Sequence, residues 1–429
     1  IGTAVLELGI LADDLTGGMM VGRLLEREGV RCPLVTSVEA LDNLSNDAEA
    51  VVIGRKIRLI PPKEAAADAQ KSAQGLLDKK TKRIYYKYCA TFDSTNDGNI
   101  GPIGEALMET TKTDRVIFCP AFPEYSITIF QGRMFLGGTM LGESGKRFDP
   151  VTPMTNSNLV EVLQAQCKSK VSLLPHSQLV AGKSACNDYI SMQIKDGANL
   201  FIVDAVDNED VTRIAELTTD WPLTSGADAI PMFLARTWLT TGREVNQRSL
   251  LPPAPGHEAV IAGSCAVNTQ RQVSYFEKRH PVFRVDLLEA MDDSKFLNKI
   301  IDWAKTNIKE GPICVSTSAD VDGVKRAQEV LGRDGAAALA DEILGKSATA
   351  LKDLGVRKFV VAGGETSGQF FKSLDIGQVQ VSSFDNLAGG YCHEASSDPM
   401  SIVTKAGGLR NEEFFFTALE RMRQADTQI

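Results

Sequence analysis

The chain has 429 residues, and at about 150 residues per domain this length predicts two or three domains. Its composition, 43% hydrophobic and 24% charged, is that of an ordinary globular protein. Acidic residues outnumber basic ones by 55 to 46, and the net charge of -9 argues against a general binder of nucleic acids or membrane surfaces. A phosphate ligand stays compatible with this charge, because a local cluster of backbone N–H groups can bind it.

The chain start and the cysteines bear on cellular location. The first ten residues read as a strand without a basic n-region or cleavage site, so we expect no signal peptide. No apolar run approaches the ~18 residues that a membrane span needs. The eight cysteines form no C-x-x-C pair, which argues against a zinc site. Cys89, Cys119 and Cys314 lie in apolar runs typical of reduced thiols, so a cytoplasmic location is predicted.

Short β-rich apolar runs alternate with longer helical patterns, which predicts an α/β fold with mostly parallel sheets flanked by helices. The predicted strands are 5–11, 50–53, 83–87, 115–119, 200–204, 258–262, 281–285, 313–317, 358–362 and 401–405. The predicted helices are 16–28, 63–79, 101–111, 157–166, 184–195, 208–218, 268–279, 293–309, 334–353, 367–373 and 411–423.

A proline-rich segment divides the chain. Pro252, Pro253 and Pro255, followed by Gly256, cannot continue a helix or a central strand. We therefore predict two domains, 1–250 and 257–429, joined by a linker at 251–256, with a ligand cleft between the domains.

Asp13 and Asp14 follow the first predicted strand and open a helix. Ligands of open α/β sheets bind where strands end and helices begin, so two carboxylates there suit substrate hydroxyls, Mg²⁺ or a proton. The alternative is helix capping by Asp14 or Thr16, which would need only one acid.

Two further segments of the first half carry polar groups directly after strands. Residues 86–101 offer carboxylates, hydroxyls and amides that suit a polyhydroxylated ligand, or they form turns that hydrogen-bond only to themselves. Lys56 or Arg58 could pair with a substrate carboxylate, and the alternative is a solvated cluster of surface cations.

The second half contains three small-residue turns after strands: 263–266, 363–368 and 405–408. Glycines let a backbone approach an anion closely, and a helix start favours negative charge. Three such turns could converge on one triphosphate, although each alone is typical of an ordinary strand-to-helix turn. No histidine stands at a spacing typical of a hydrolase triad.

Together these segments resemble the four-carbon acid sugar kinase family. The resemblance rests on A-D-D-L-T-G at 12–17, D-S-T-x-x-G-N at 93–99 and G-G-E-T-S-G at 363–368, in the right order over nearly the whole chain. Residues 87–93, 119–124 and 152–155 are most similar to the branch that acts on 3-oxo-tetronates.

The resemblance implies transfer of the ATP γ-phosphate to the terminal hydroxyl of a four-carbon sugar acid, either 3-oxo-tetronate-like or erythronate/threonate-like. The N-terminal domain would hold the acid, and the C-terminal domain would hold ATP with Mg²⁺. The protein ligands of Mg²⁺ are not assigned. A homo-oligomer is compatible with the resemblance. The implied catalytic residues are Asp13, Asp14 and Asp93, without a choice of base. The implied substrate-binding residues are Lys56, Arg58, Ser94, Thr95 and Asn99, and the implied nucleotide-binding residues are Ser264, Gly363, Gly364, Glu365, Thr366 and Gly407.

The chain departs from the family pattern at three single positions and over residues 405–410, which read K-A-G-G-L-R where K-S-G-N-F-G is usual. Asp97 and Ile127 stand where basic residues are usual, and Ala266 replaces a serine. Either the substrate differs, another cation compensates, or phosphoryl transfer is weak. The alternative to a kinase is therefore a weakened or non-catalytic descendant that binds a sugar acid or a nucleotide.

Overall fold

A computed structural model describes residues 6–149, 151–239, 251–319, 321–382, 390–406 and 410–427. The chain divides into two compact units, Ile1–Gln247 and Arg248–Ile429, which we call the N-unit and the C-unit. Each contains a mostly parallel sheet flanked by helices, so the predicted fold class is confirmed. No helix among the described residues is long and apolar enough to cross a bilayer.

The N-unit alternates strands and helices. Its strands are β1 (Leu8–Ala12), β2 (Leu34–Val35), β3 (Ala50–Gly54), β4 (Ile84–Lys87), β5 (Val116–Cys119), β6 (Ile127–Phe130), β7 (Arg133–Leu136), β8 (Thr139–Met140), β9 (Lys170–Leu174), β10 (Ala198–Val203) and β11 (Leu223–Gly226). Its helices are α1 (Leu15–Arg27), α2 (Pro62–Asp78), α3 (Ile100–Thr111), α4 (Leu159–Gln164), α5 (His176–Val180), α6 (Lys183–Lys195), α7 (Asn208–Thr218) and α8 (Ala229–Trp238).

Eight of these strands form one parallel sheet in the order β2-β3-β1-β4-β11-β5-β10-β9. The central strands are buried along their whole length, as expected for a sheet covered by helices on both faces. Strands β6, β7 and β8 form a separate antiparallel sheet. All carboxyl ends of the parallel strands meet at one edge, where the first two sequence motifs lie.

The C-unit repeats this plan with fewer strands. Its strands are β12 (His257–Ala262), β13 (Val282–Arg284), β14 (Ile313–Ser316), β15 (Val356–Ala362), β16 (Gln378–Val381), β17 (Tyr391–Glu394) and β18 (Met400–Lys405). Its helices are α9 (Val267–Glu277), α10 (Leu287–Asp292), α11 (Phe296–Asn307), α12 (Val321–Asp353, broken at Gly332), α13 (Gly364–Ser373) and α14 (Phe414–Asp426). The order is β13-β14-β12-β15-β18-β17-β16, with β17 antiparallel to both neighbours.

The proline-rich segment at 251–256 belongs to the C-unit and packs against the rest of it. Leu251 and Ala254 are buried there. Lys358, which is also buried, donates to the carbonyl oxygen of Ala254 at 2.9 Å and pairs with Asp426 at 2.5 Å. The N–H of Ala254 donates to the same carboxylate at 2.8 Å. These contacts fix the start of the C-unit to its last helix.

Several strands are absent from the sequence prediction because their residues are polar or their runs are short. The clearest is β11, L-T-S-G, which is buried at the middle of the sheet. Its polar groups are satisfied internally, since the Ser225 hydroxyl donates to the carbonyl oxygen of Ile117 at 2.6 Å. A buried hydroxyl with a partner costs little, so a strand of this composition is stable although its pattern resembles a turn.

Glu26, near the end of α1, carries a testable pH dependence. Its side chain is buried and accepts the N–H of Cys32 at 2.8 Å. Burial raises the pKa of Glu26 from about 4.5 to about 7. The folded state therefore favours the neutral form of the Glu26 carboxyl. The stability that this group contributes is fully present below pH 4.5 and is lost as the pH rises through 7.

We expect Glu26→Gln to remove this loss, because the neutral amide keeps the acceptor oxygen. The difference in the free energy of unfolding between the variant and the parent should therefore grow in favour of the variant by about 2–3 kcal/mol from pH 5 to pH 8. Urea titrations across this range measure the difference. Glu216→Gln on the exposed face of α7 is the control. Parallel stability profiles for the parent and Glu26→Gln would contradict the prediction.

Candidate active site

Charged side chains gather at the carboxyl edge of the N-unit sheet. Asp13 follows β1, Arg58 lies in the loop after β3, Lys87 ends β4, and Asp228 follows β11. The backbone also ties this edge together, since Asp13 N–H donates to the Lys87 carbonyl oxygen at 3.0 Å. Neighbouring parallel strands thus bring these groups together from distant parts of the sequence.

Asp13 is held by a two-pronged ion pair. Its side chain is 1% exposed, and its two oxygens accept from Nε and Nη2 of Arg58 at 3.0 and 2.7 Å. Burial raises the pKa of Asp13 above its ordinary value, although Arg58 opposes this effect. A carboxylate so enclosed orients the arginine and has little surface left for a ligand.

Asp14 caps helix α1 and also faces the site. Its Oδ1 accepts the N–H of Gly17 and an Nη2–H of Arg58, both at 2.9 Å. Its side chain is 19% exposed. No donor among the described residues reaches its second oxygen, Oδ2. The capping and functional interpretations are therefore compatible, because each uses a different oxygen.

Arg58 retains donors for a ligand. Its Nη1 has no partner among the described residues, and the side chain is 22% exposed. Asn99 supports the loop that carries it: the Asn99 Nδ2 donates to the carbonyl oxygens of Ile57 and Arg58 at 2.8 and 3.2 Å. In this arrangement the Asn99 amide positions the arginine. Lys56, the other predicted cation, is exposed.

Asp93 is paired with Lys146, which the sequence analysis missed. The Lys146 Nζ lies 2.7 Å from Asp93 Oδ2, and Thr91 donates to Oδ1 at 2.6 Å. Burial alone would raise the pKa of Asp93, but Lys146 and the hydrogen-bond donors hold it below its ordinary value. A carboxyl that is so strongly stabilised as the anion is a weak base.

Ser94 and Thr95 belong to the same loop. Gln166 Nε2 donates to the Ser94 hydroxyl at 2.7 Å and to the Thr95 carbonyl oxygen at 2.6 Å. The loop therefore has a partner from outside its own sequence, in contrast to the self-bonded turn considered above. Ser94 is buried, whereas Thr95 is half-buried.

Lys87 and Asp228 form a second pair that the sequence analysis missed. The buried Nζ of Lys87 lies 3.4 Å from Asp228 Oδ1 and donates to the Tyr88 carbonyl oxygen at 2.6 Å. Burial raises the pKa of Asp228, and Lys87 opposes this effect. A Cβ on Gly17 would approach Lys87 Nζ within 3.0 Å and Asp14 Oδ1 within 2.5 Å, so the glycine keeps this corner open. The sequence held one signal that could have predicted this pair, which is a lysine, Lys87, at the end of an otherwise apolar strand.

The C-unit brings together the turns after β12 and β15. A Cβ on Gly263 would lie 2.1 Å from Oγ1 of Thr366, and one on Gly363 would lie 2.8 Å from it. Gly363 also has a φ of 127°, which favours glycine. The turns are thus packed at a distance that only glycine permits, and the first N–H groups of α13 have no partner within the helix.

The other predicted nucleotide residues lie around these turns. The Ser264 hydroxyl accepts the N–H of Ala266 at 3.2 Å, and the exposed Glu365 follows Gly364 in the first turn of α13. Gly407 lies outside the described residues. Lys405, at the end of β18, is buried and donates to Thr269 at 3.1 Å. Burial lowers the pKa of Lys405 to about 8.

The three single-position departures from the family pattern have different surroundings, whereas part of the fourth, at 407–409, lies outside the described residues. Asp97 is exposed, so its charge is solvated. Ile127 begins β6 and pairs with Leu136, and Ala266 precedes α9 without a side-chain cap. Lys146 supplies a cation beside Asp93 that the motifs did not indicate. Within the described residues, no group of three His, Cys, Asp or Glu side chains could hold a metal ion.

Comparison with known proteins matches each half of the chain to a family. A family described as a sugar-binding N-terminal domain matches residues 8–234, and one described as a nucleotide-binding C-terminal domain matches residues 259–415. Together with curated relatives that are kinases, these two domains define a phosphotransferase that acts on a hydroxyl group and uses ATP. The chain belongs to the four-carbon acid sugar kinase family.

Its relatives include 3-oxo-tetronate kinases from Pseudomonas fluorescens, Cupriavidus necator and Burkholderia multivorans. They are 35%, 34% and 33% identical, and each alignment covers 97% of both chains. Similar crystal structures are those of a candidate tRNA synthase from Salmonella typhimurium LT2 and of a Haemophilus influenzae protein. Their TM-scores are 0.79 and 0.73, at 28% and 29% identity, over 96% of this chain and 99% and 100% of theirs.

Proposed function

We propose that this protein transfers the γ-phosphate of ATP to the terminal hydroxyl of a four-carbon acid of the 3-oxo-tetronate type. The observation that carries the proposal is the Asp14–Arg58 arrangement. Within the part of the chain that the structure describes, Asp14 Oδ2 accepts from no donor, and the N–H groups of the neighbouring Arg58 Nη1 have no acceptor. A hydroxy acid needs both, because its carboxylate accepts hydrogen bonds and its hydroxyl must lose a proton.

In the proposed reaction, Arg58 Nη1 binds the substrate carboxylate and Asp14 Oδ2 accepts the proton of the terminal hydroxyl. The oxygen of the substrate's terminal hydroxyl then forms a bond to the γ-phosphorus, the bond from the γ-phosphorus to the β,γ-bridging oxygen breaks, and ADP leaves. Asp13 keeps Arg58 in place through its two hydrogen bonds. Lys56, Ser94 and Thr95 remain predicted contacts of the acid.

The turns of the C-unit are the proposed site of the ATP phosphates. Gly364 and Thr366 would contribute backbone N–H groups, with Ser264 and Gly407 beside them. Gly363 would let the phosphates approach the turn closely, since its own N–H already donates to the Lys405 carbonyl oxygen at 2.8 Å. Mg²⁺ suits a site of this kind, since it is commonly held by substrate phosphates, water and one or two carboxylates, and Glu365 is the carboxylate present. When bound, it would neutralise charge on the phosphates.

Turnover with a panel of acids tests the proposed function. The acids are freshly prepared 3-oxo-tetronate, erythronate and threonate, each with ATP and Mg²⁺, and the product is identified as a phosphoester by phosphorus NMR. The control is freshly prepared 2-hydroxy-3-oxobutanoate, which keeps the carboxylate, the 2-hydroxyl and the 3-oxo group and lacks only the terminal hydroxyl. We expect ADP and a phosphoester with at least one panel acid and neither with the control.

Equal ADP release with the control acid would contradict the proposed transfer to that hydroxyl. An acid that binds without any turnover would instead support the non-catalytic descendant. Asp97 and Ile127 favour that second candidate, because they remove two cations usual in the family. Lys146 favours the kinase, because it restores a cation at Asp93.

A further inference from the structure

The first turn of α1 carries two backbone N–H groups that the fold does not use. Asp14 accepts the N–H of Gly17 through Oδ1 at 2.9 Å and the N–H of Gly18 through its carbonyl oxygen at 3.1 Å. The N–H groups of Leu15 and Thr16 donate to none of the described residues. Both point out of the N-terminal end of a 13-residue helix, where the helix dipole favours negative charge. They are therefore available to an anion at that end.

The Thr16 hydroxyl is a second, independent sign of a ligand at this turn. The residue is 7% exposed, and its Oγ1 is buried without a hydrogen-bond partner among the described residues. The sequence suggested Thr16 as an alternative cap of α1, but the structure gives that role to Asp14. A buried hydroxyl without a partner costs stability, and native proteins keep few of them. The Thr16 hydroxyl thus lacks a partner that a ligand can supply.

Helix geometry directs the Thr16 hydroxyl toward the N-terminal end of α1. The Cα–Cβ bonds of a helix tilt toward its N-terminus. A threonine in a helix also uses two χ1 rotamers, so its hydroxyl can turn toward a ligand. The turn is open beside it, since the Asp14 side chain is 19% exposed and the half-buried Gly17 has no side chain. The hydroxyl and the two N–H groups therefore serve the same end of the helix.

Two cations lie beside this turn. Arg58 Nη2 donates to Asp14 Oδ1 at 2.9 Å. A Cβ on Gly17 would lie 2.5 Å from the same oxygen and 3.0 Å from Lys87 Nζ, so the ammonium is close to this carboxylate as well. Each cation is also paired with a second aspartate, described above, which offsets part of its charge. The surroundings of the turn can therefore accommodate an anion beside Asp14.

We propose that the first turn of α1 binds the phosphoryl group as it is transferred, with the Leu15 and Thr16 N–H groups and the Thr16 hydroxyl donating to its non-bridging oxygens. The inference rests on the proposed function, since it takes Asp14 Oδ2 as the acceptor of the hydroxyl proton. The oxygen that loses this proton lies within hydrogen-bond distance of Asp14 and carries the phosphoryl group in the product. That group is therefore next to the helix start that Asp14 caps. Asp14 is neutral once it holds the proton, so it no longer repels the phosphoryl oxygens.

Binding of a phosphorylated acid tests the proposal without turnover. The probes are erythronate and chemically prepared erythronate 4-phosphate, measured by calorimetry without nucleotide on the parent, Thr16→Val and Thr16→Ser. The parent should bind the phosphate ester at least tenfold more tightly than the acid. Thr16→Val should weaken the ester about tenfold, as expected for a lost hydrogen bond to a charged group, and the acid by less than threefold. Thr16→Ser, which keeps the hydroxyl, should bind the ester within threefold of the parent.

Unfolding in urea separates this role from a structural one. Thr16→Val removes a hydroxyl that has no partner among the described residues, so the free energy of unfolding of the ligand-free protein should stay the same or rise. Thr218→Val is the matched control, because the buried Thr218 hydroxyl donates to the Ile214 carbonyl oxygen at 2.9 Å within α7. This control should lower the free energy of unfolding and leave both affinities unchanged.

Three outcomes would overturn the proposal. One is equal weakening of the acid and the ester by Thr16→Val, and another is a loss of stability like that of Thr218→Val, because each would give Thr16 a structural role. The third is a parent that binds the ester no more tightly than the acid. If none of the panel acids is phosphorylated, the proposed function fails, while the affinities for the ester still decide whether this turn holds a phosphate.

Discussion

Asp14→Asn should lower kcat by about 10²- to 10⁴-fold while the fold stays intact. The amide oxygen of asparagine can still accept from Gly17 and Arg58, so the cap of α1 and the position of the arginine are preserved. What disappears is the negative oxygen that has no donor from the described residues. The loss should therefore fall on the chemical step, with a smaller change in acid binding.

Steady-state kinetics with a panel acid measures this loss, and thermal unfolding checks the fold. Asp97→Asn is the matched control, since it makes the same substitution at an exposed position of the neighbouring loop. It should retain at least half of the parent turnover. Unchanged turnover in Asp14→Asn would remove this carboxylate from the proton transfer. An equal drop in both variants would point to net charge as the cause.

The sequence predicted Asp93 as a site residue but could not predict its ion-pair partner, Lys146. The motif placed Asp93 beside a strand end, where parallel strands expose their carboxyl edge. Its partner, Lys146, comes 53 residues later in the chain, in a turn without any motif. The position of that turn depends on the antiparallel sheet β6–β8, which alternation of strands and helices does not predict.

Lys87 and Asp228 show the same limit in a different way. Lys87 ends β4 and Asp228 lies two residues after β11, and the register of these neighbouring strands brings their ends together. The sequence prediction contained β4 but not β11, because L-T-S-G lacks the apolar pattern of a buried strand. A prediction without β11 could not place Asp228 at this edge. Local pattern thus predicts the elements, whereas the pairing of distant strands decides which charges meet.

The choice between Asp13, Asp14 and Asp93 depended on hydrogen bonds rather than on residue type. All three are aspartates in motifs that resemble the same family, and the sequence left the base open. The structure differentiates them by what each oxygen already accepts. Asp13 is enclosed by Arg58, and both oxygens of Asp93 already accept hydrogen bonds, whereas Asp14 Oδ2 accepts from none of the described residues.

Gly363→Val should weaken ATP binding at least tenfold and leave binding of the acid nearly unchanged. The glycine has a φ of 127°, which a β-branched residue adopts only with strain. Its new Cβ would lie 2.8 Å from Thr366 Oγ1 and 3.3 Å from the backbone nitrogen of Ser264, so both turns must shift. The affinity for the acid should stay the same, because we propose that the acid binds in the N-unit and does not contact this turn.

Calorimetry with ATP and with the acid, measured separately on each variant, tests this expectation. Gly332→Val is the matched control, because Gly332 also has a positive φ, 72°, but a Cβ there would meet nothing within 4 Å. The control should share the backbone strain and bind ATP like the parent. Equal loss of both ligands in Gly363→Val would place the glycine turn outside the nucleotide site, and normal ATP binding would exclude it from phosphate contact.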